Sequence, residues 1–290
     1  MSWKTGVEKL LSEKQNSQIT VLSEQYVGGG SINETKLIET NAGQFFVKIN
    51  SASRYPGMFE KEAKGLALLK ETKAIEVPRV IGFGEDGNDA FLILDYIKSA
   101  PKESGFWGNF GRKLAALHRN SSEQFGLDHD NYIGSLQQSN KQHDSWSTFF
   151  REERLEPQIA MAFNKGGIDR SMLNMFDRFF NKLDNLFPIE PPSLIHGDLW
   201  GGNFMVNENG EAVIIDPAVY YGHREMDLGM SQLFGGFDQQ FYEAYHNAYP
   251  LELGWQERMD YCNLYPLMVH VNLFGGGYAG SVRSIVKRFI

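Results

Sequence analysis

Four polar residues stand at short, ordered intervals late in the chain: His196, Asp198, Asn203 and Asp216. The first three lie in Ser193-Leu-Ile-His196-Gly-Asp198-Leu-Trp200-Gly-Gly-Asn203, which reads as a short strand running into a tight loop. A hairpin follows (Phe204-Met-Val206, turn Asn207–Gly210, then Ala212 to Ile215) and ends on Asp216. Phosphoryl transfer asks for one carboxylate to orient a hydroxyl and take its proton. It also asks for an amide oxygen and a second carboxylate to hold Mg²⁺ on nucleotide phosphates. His-Gly-Asp alone is a common turn, and Asn-x-Asn-Gly is an ordinary hairpin turn. The ordered set carries the chemistry, because polar side chains gathered at the ends of apolar strands are costly without a cation or substrate.

The elements that must position such a site are legible upstream. Residues 7–15 suit a short helix, and Ile19–Leu22, Thr35–Glu39 and Phe45–Lys48 suit strands. Between the first two strands lies Tyr26-Val-Gly28-Gly29-Gly30-Ser31, a glycine run that lets backbone N–H groups approach phosphates or simply turns the chain. It fits neither GxGxxG nor the GxxxxGK[ST] loop. Lys48 ends an apolar strand, where a lysine either snorkels at an edge or reaches nucleotide phosphates and pairs with a helix glutamate. Phe59, Glu62, Leu66 and Leu69 share one helix face, so Glu62 sits on the apolar stripe and Lys48 is its candidate partner. Val77–Gly82 and Ala90–Ile97 read as two further strands around the turn Glu85–Asp89. The Asp-x4-Asn spacing of Asp198 and Asn203 matches the catalytic loop of the protein-kinase template, with Asp216 in place of its metal-binding DFG aspartate.

Helical periodicity dominates after residue 98, and a division into residues 1–97 and 98–290 follows. Trp107, Phe110, Leu114 and Leu117 form one stripe ending at His118, which reads as structural. Leu173, Phe176, Phe180, Leu183 and Phe187 form another behind a candidate N-cap, Asp169. Phe125 to Asn140 is polar and aromatic with little periodicity, so it reads as a long functional or mobile loop. Its Asp128-His129-Asp130 triplet is a poor metal site, since neighbours on an irregular loop rarely converge on one ion. The cluster Ala218 to Leu228, with Arg224 and Glu225, either lines a pocket or ties this segment to the catalytic loop. A Phe274-Gly-Gly-Gly-Tyr278 break interrupts the helical C-terminal part.

At 290 residues with a formal net charge of −8 and no Lys/Arg-rich tract, the chain does not suit nucleic acid as a main partner. A single cysteine, Cys262, excludes an intrachain disulfide and reads as a buried thiol. No apolar run approaches the roughly 18–20 residues of a membrane helix. The first residues lack a signal pattern, so a soluble, cytoplasmic protein is expected.

Taken in order, the glycine run, Lys48, Glu62, the helix ending at His118, His196-Gly-Asp198, Asn203 and Asp216 resemble the protein-kinase-like fold in its aminoglycoside/choline kinase branch. Longer strings resemble the fructosamine/ketosamine kinases: Phe125-Gly-Leu-x3-Asn131-Tyr-Ile-Gly134, His196-Gly-Asp-Leu-Trp-Gly-Gly-Asn203 and Ile215-Asp-Pro-Ala-Val-Tyr-Tyr-Gly-His-Arg-Glu-Met-Asp-Leu228. The resemblance implies an α+β, bilobal fold: a small antiparallel β-sheet lobe with one helix, and a larger, mainly helical lobe. It implies ATP- and Mg²⁺-dependent phosphorylation of the 3-hydroxyl of a sugar held in ketosamine linkage, after which the adduct decomposes and frees the amine. By position, Asp198 would be the base, Asn203 and Asp216 the Mg²⁺ ligands, and Lys48 with Glu62 the phosphate holder, beside Gly28, Gly29, Gly30 and Ser31. Leu94, Asp95, Tyr96 and Ile97 would form the adenine hinge; Trp200 and His196 would face the substrate; Asp227 would brace the catalytic loop. Ser31 stands where some members carry a cysteine with a proposed redox role, and Gly201 where the loop often has serine. Rival expectations are a kinase of the same fold acting on an aminoglycoside, choline-like or sugar alcohol, and a nucleotide-binding pseudoenzyme.

Overall fold

The computed structural model describes residues 2–28 and 32–289. In chain order the elements are α1 (Trp3–Gln15), β1 (Val21–Tyr26), β2 (Glu34–Thr40), β3 (Gly43–Ser51), α2 (Met58–Glu71), β4 (Val80–Asp86) and β5 (Asp89–Asp95). Then come α3 (Phe106–His118), β6 (Asn131–Ile133), β7 (Leu136–Gln138), α4 (Trp146–Phe149), a π-helical turn (Phe150–Leu155), α5 (Glu156–Asn164) and α6 (Arg170–Phe180). A 3₁₀ turn (Leu183–Asn185) leads to β8 (Ser193–Ile195), β9 (Phe204–Val206), β10 (Ala212–Ile214) and β11 (Tyr220–Gly222). Five helices finish the chain: α7 (Glu225–Leu233), α8 (Gln239–Ala248), α9 (Trp255–Cys262), α10 (Leu264–Phe274) and α11 (Tyr278–Lys287).

The chain forms two compact units. The first comprises the residues up to Phe106 together with Phe204–Pro217; the second comprises Trp107–Asn203 and the chain from Ala218 onward. The architecture is α+β, as the sequence leads one to expect. The division differs from a cut after Ile97, because the β9–β10 hairpin joins the first unit although it lies far along the chain.

The first unit is built on an antiparallel sheet of order β1-β2-β3-β5-β4. Strand alternation sends successive side chains to opposite faces. Phe45, Val47 and Ile49 of β3, with Phe91 and Ile93 of β5, therefore point one way and pack with Val7 and Leu11 of α1. Lys48, between Val47 and Ile49, projects to the other face, toward α2. There Phe59, Leu66 and Leu69 are buried, as the helical spacing predicts. The returning hairpin is fastened by a parallel bridge between Glu76 and Val213. The Asn207 side-chain amide donates to Glu76 at 2.6 Å, and the Ala100 N–H donates to the Val206 carbonyl at 2.9 Å.

In the second unit α3 covers the expected stripe, and His118 at its end is buried. Asp169 caps α6, accepting from the Met172 N–H at 2.8 Å. The longer stripe is corrected: α6 stops at Phe180, so Leu183 falls on the separate 3₁₀ turn and Phe187 lies beyond it. Met172, Phe176 and Phe179 are its buried positions. The segment expected as an irregular loop contains the β6–β7 hairpin. Short ladders pair β8 with β11 in antiparallel register, Ile195 facing Tyr220, which brings the segment before His196 against the segment after Pro217.

Candidate active site

In the first unit, Lys48, Glu62 and Asp216 come together. The Lys48 ammonium donates to Glu62 Oε1 at 2.6 Å and to Asp216 Oδ1 at 2.7 Å. The lysine is 2 % exposed, so burial opposes its charge, yet the two carboxylates overcome this and hold it protonated well above its ordinary range. Burial, the largest influence on Glu62, raises that carboxyl; Lys48 pulls it down and Asp216 pushes it up again, leaving it raised. The Asp216 side chain stays 39 % exposed, and only its Oδ1 is taken by the lysine. Its φ is +54°, in the left-handed region that costs a non-glycine residue about 1 kcal/mol or more. Leu94 to Ile97 lie at the end of β5 in the same unit: Leu94 is buried, Tyr96 is exposed, and Asp95 accepts the Arg79 N–H at 2.6 Å. Gly28 is exposed, whereas Gly29, Gly30 and Ser31 lie outside the described residues.

In the second unit, Asp198 and Asn203 are joined. The Asn203 side-chain amide donates to Asp198 Oδ2 and to the Asp198 carbonyl, both at 2.9 Å. With its nitrogen so committed, the amide oxygen of Asn203 carries no hydrogen bond among the described residues. The amide oxygen of Asn203 and the carboxylate oxygen of Asp216 are each the hard-oxygen donor type that Mg²⁺ prefers.

Asp227, near the start of α7, accepts the backbone N–H of His196 at 2.7 Å and of Gly197 at 2.9 Å. His118 Nε2 donates to the same carboxylate at 3.1 Å, while its Nδ1 lies 2.8 Å from the Tyr245 hydroxyl. Burial works against the ionised form of Asp227, but these donors win and hold its carboxyl below the ordinary range. His196 itself is fully buried, and its Nδ1 accepts the Asp198 N–H at 3.2 Å. A substrate-facing role for His196 is therefore corrected: it supports the loop from within. Gly197 has φ +83°, and a Cβ there would sit 2.2 Å from the Ala218 carbonyl oxygen, so the loop closes only with glycine. Trp200 is half-buried, edge-on to Phe234 at 5.9 Å, and its indole lies over Gly202.

Arg224 and Glu225 are engaged in buried ion pairs. Arg224 makes a two-pronged pair with Glu190 at 2.6 and 2.7 Å, and Glu225 makes another with Arg258 at 2.6 and 2.8 Å. Arg224 and Glu225 are both buried, so they tie the segment after β11 to the helical body. Cys262 is buried, and that burial raises its thiol well above the ordinary range. No helix among the described residues is long and apolar enough to cross a membrane.

Sequence reasoning missed a buried polar network around Asn131, Gln138, Asn140 and Arg154. Its only local signal is a set of amides interleaved with apolar residues between Asn131 and Asn140.

The fructosamine kinase family model matches residues 2–290. A Synechocystis protein provisionally named a ketoamine kinase is 38% identical over 287 residues, covering 99% of this chain and 96% of its own. The protein-ribulosamine 3-kinase of Arabidopsis thaliana chloroplasts is 39% identical over 288 residues, covering 98% of this chain and 86% of its own. A crystal structure from Haemophilus somnus, provisionally named a fructosamine-3-kinase, superposes with a TM-score of 0.90 at 30% identity over 98% of this chain and 96% of its own. LicA crystallised with AMP shares the protein-kinase-like fold at 14% identity and a TM-score of 0.64, covering 100% of both chains. The chain belongs to the fructosamine kinase family.

Proposed function

We propose that this protein is an ATP- and Mg²⁺-dependent ketosamine 3-kinase, transferring the γ-phosphoryl group to the 3-hydroxyl of a ribulosamine or fructosamine carried on an amine or a protein lysine. The phosphorylated adduct then decomposes and releases the amine, so the role is deglycation. The observation that carries the reading is the Lys48–Glu62–Asp216 cluster, a buried ammonium between two carboxylates with one carboxylate oxygen left over. Family membership and the Asp198–Asn203 pair support it.

In this reading the first unit is the nucleotide-binding part and the second the catalytic and substrate-binding part. Lys48, fixed by Glu62, neutralises nucleotide phosphates; Gly28 to Ser31 and the Leu94–Ile97 strand end hold the rest of the nucleotide. Asn203 and Asp216 would hold Mg²⁺, which supplies positive charge for the phosphate oxygens. Asp198 orients the acceptor hydroxyl and takes its proton, and Trp200 offers an aromatic wall to the sugar. Most of the acceleration would come from positioning and charge stabilisation. The setting is cytoplasmic, where ATP and Mg²⁺ are supplied.

The test is ADP release from ATP and Mg²⁺ with ribulose-lysine, against kanamycin, choline and a no-acceptor blank. Release with the ketosamine alone is expected. Asp198→Asn should lose about 10²- to 10⁴-fold in turnover with ATP affinity little changed. Release only with kanamycin or choline would keep the phosphotransferase and discard the deglycation role.

A further inference from the structure

We propose that the buried amide cluster of Asn131, Gln138 and Asn140, anchored on Arg154, is a positioning device for the loop that carries Asp198, with Gln138 as its central member. This rests on the kinase reading above. Its observations all lie within the second unit.

Arg154 is fully buried. Its acceptors are the carbonyls of Ser139 (2.5 Å) and Glu153 (3.0 Å) and the amide oxygen of Asn140 (2.7 Å); no carboxylate pairs with it among the described residues. Its guanidinium lies over the Tyr220 ring, 3.9 Å from the centroid. A charge is thus kept in the interior without a paired carboxylate among the described residues, held by dipoles and π faces. The Asn140 amide nitrogen donates to the His129 carbonyl and to Asn131 Oδ1, both at 3.0 Å. The Gln138 amide nitrogen donates to Asn131 Oδ1 at 2.7 Å and to the Ala218 carbonyl at 3.2 Å. Asn131 completes the set by donating to the Val219 carbonyl at 2.8 Å. Gln138 Oε1 accepts the Tyr265 hydroxyl at 2.6 Å. All three amides are used at both their oxygen and their nitrogen.

Such a network is costly to bury and adds little stability over an apolar filling, but it fixes one geometry. What it fixes is the backbone at Ala218 and Val219. The Ala218 N–H donates to the His196 carbonyl at 2.9 Å, and Gly197 abuts the Ala218 oxygen. Gln138 therefore holds one side of the turn from His196 to Asp198 while Asp227 holds the other. Tyr265, the hydroxyl bonded to Gln138, lies near enough to Asp198 for that carboxylate to contribute to raising its phenol. A loop held from both sides keeps its carboxylate in place between turnovers, and small misplacements of a reacting group are expensive.

The experiment uses Gln138→Leu, which keeps volume and removes the hydrogen bonds, and Tyr265→Phe, which removes one hydroxyl and covers the case in which the first variant does not fold. For each, kcat and KM for ATP are measured with ribulose-lysine, together with hydrogen–deuterium exchange of the His196–Asp198 amides. The expected result is a fall in kcat of about 10- to 100-fold for Gln138→Leu, with KM for ATP within about twofold and faster exchange at those amides. A purely structural role would lower Tm and leave kcat per folded molecule unchanged, and that result overturns the proposal. Unchanged exchange at His196–Asp198 overturns it as well, whatever the activity. Wild-type protein inactive on ribulose-lysine would instead count against the kinase reading, and exchange alone would then decide the clamp.

Discussion

Lys48 shows how a buried charge depends on its neighbours rather than on its own site. Replacing it with methionine leaves Glu62, mostly buried, facing Asp216 with no cation between them. Breaking a buried pair in this way costs about 3–5 kcal/mol, less here because Asp216 is partly solvated. Lys48→Met is therefore expected to lower urea stability at neutral pH, and Glu62→Gln added to it should recover most of the loss. Without the lysine, the Glu62 carboxyl rises further. The folded state then binds more protons than the unfolded one, and the defect should shrink as pH falls from 7.5 to 5.5. A defect that is the same at both pH values, or that Glu62→Gln fails to relieve, would remove this account. His223 works the other way. It is buried beside Trp146 and Phe187, accepts the Glu225 N–H on Nδ1, and burial depresses it to about 4. A base depressed in the folded state is protonated first in the unfolded chain, so stability present above pH 6.5 is lost as pH falls toward 4. The loss approaches about 3 kcal/mol at 1.36 kcal/mol per pH unit. In acid unfolding curves, His223→Phe should flatten this limb; an unchanged slope would assign the loss to other groups.

At the scale of elements, the loop from His196 to Asn203 is defined by what its backbone touches. Gly202 lies under the indole of Trp200, where a Cβ would come within 2.4 Å of the ring, whereas a Cβ at Gly201 meets nothing within 4 Å. Gly202→Ala should displace Trp200 and raise KM for the ketosamine with KM for ATP unchanged, while Gly201→Ser should leave both constants and Tm alone. Equal effects of the two substitutions in steady-state assays would separate Trp200 from substrate binding. The sequence carried much of this element: strand, tight loop and hairpin follow from residues 193–216, and Lys48 meets Glu62 because period 2 in β3 and period 3.6 in α2 both point there. The resemblance turns His196 toward the substrate, whereas the β8–β11 pairing just before it leaves the side chain enclosed, a relation that local sequence does not report. The amide cluster was invisible for a related reason. Gln138 gains meaning from Ala218 and Tyr265, which are distant in sequence, and no local spacing reports such a triangle. Leu183 and Phe187 continue the apolar rhythm of α6 after the backbone has left the helix, so spacing alone overruns its end.

At the scale of the whole molecule, the first unit is discontinuous, and this determines how it can be cut. The composition shift near residue 98 marks where strands give way to helices, but a hairpin more than a hundred residues later is bonded to the segments that flank those strands, at Glu76 and Ala100. Residues up to Phe106 alone would lose the bridge of Glu76 to Val213, the Asn207–Glu76 hydrogen bond and the stacking of Phe106 on Phe204 at 5.9 Å. They would also leave Lys48 with Glu62 but without Asp216. Val206, Ala212, Val213 and Ile214 of the hairpin are buried, so their removal exposes the apolar surface they cover. Fragment 1–106 is therefore expected to melt broadly and at low temperature. Joining residues 204–217 to it through a Gly/Ser linker should sharpen the transition and raise Tm by about 5 °C or more, since each 1 kcal/mol shifts a domain of this size by about 4–8 °C. Circular dichroism melts of the two fragments give the comparison. Coincident melts would mean that the hairpin adds no stability to the first unit, and that the cut after the fifth strand is the thermodynamic boundary.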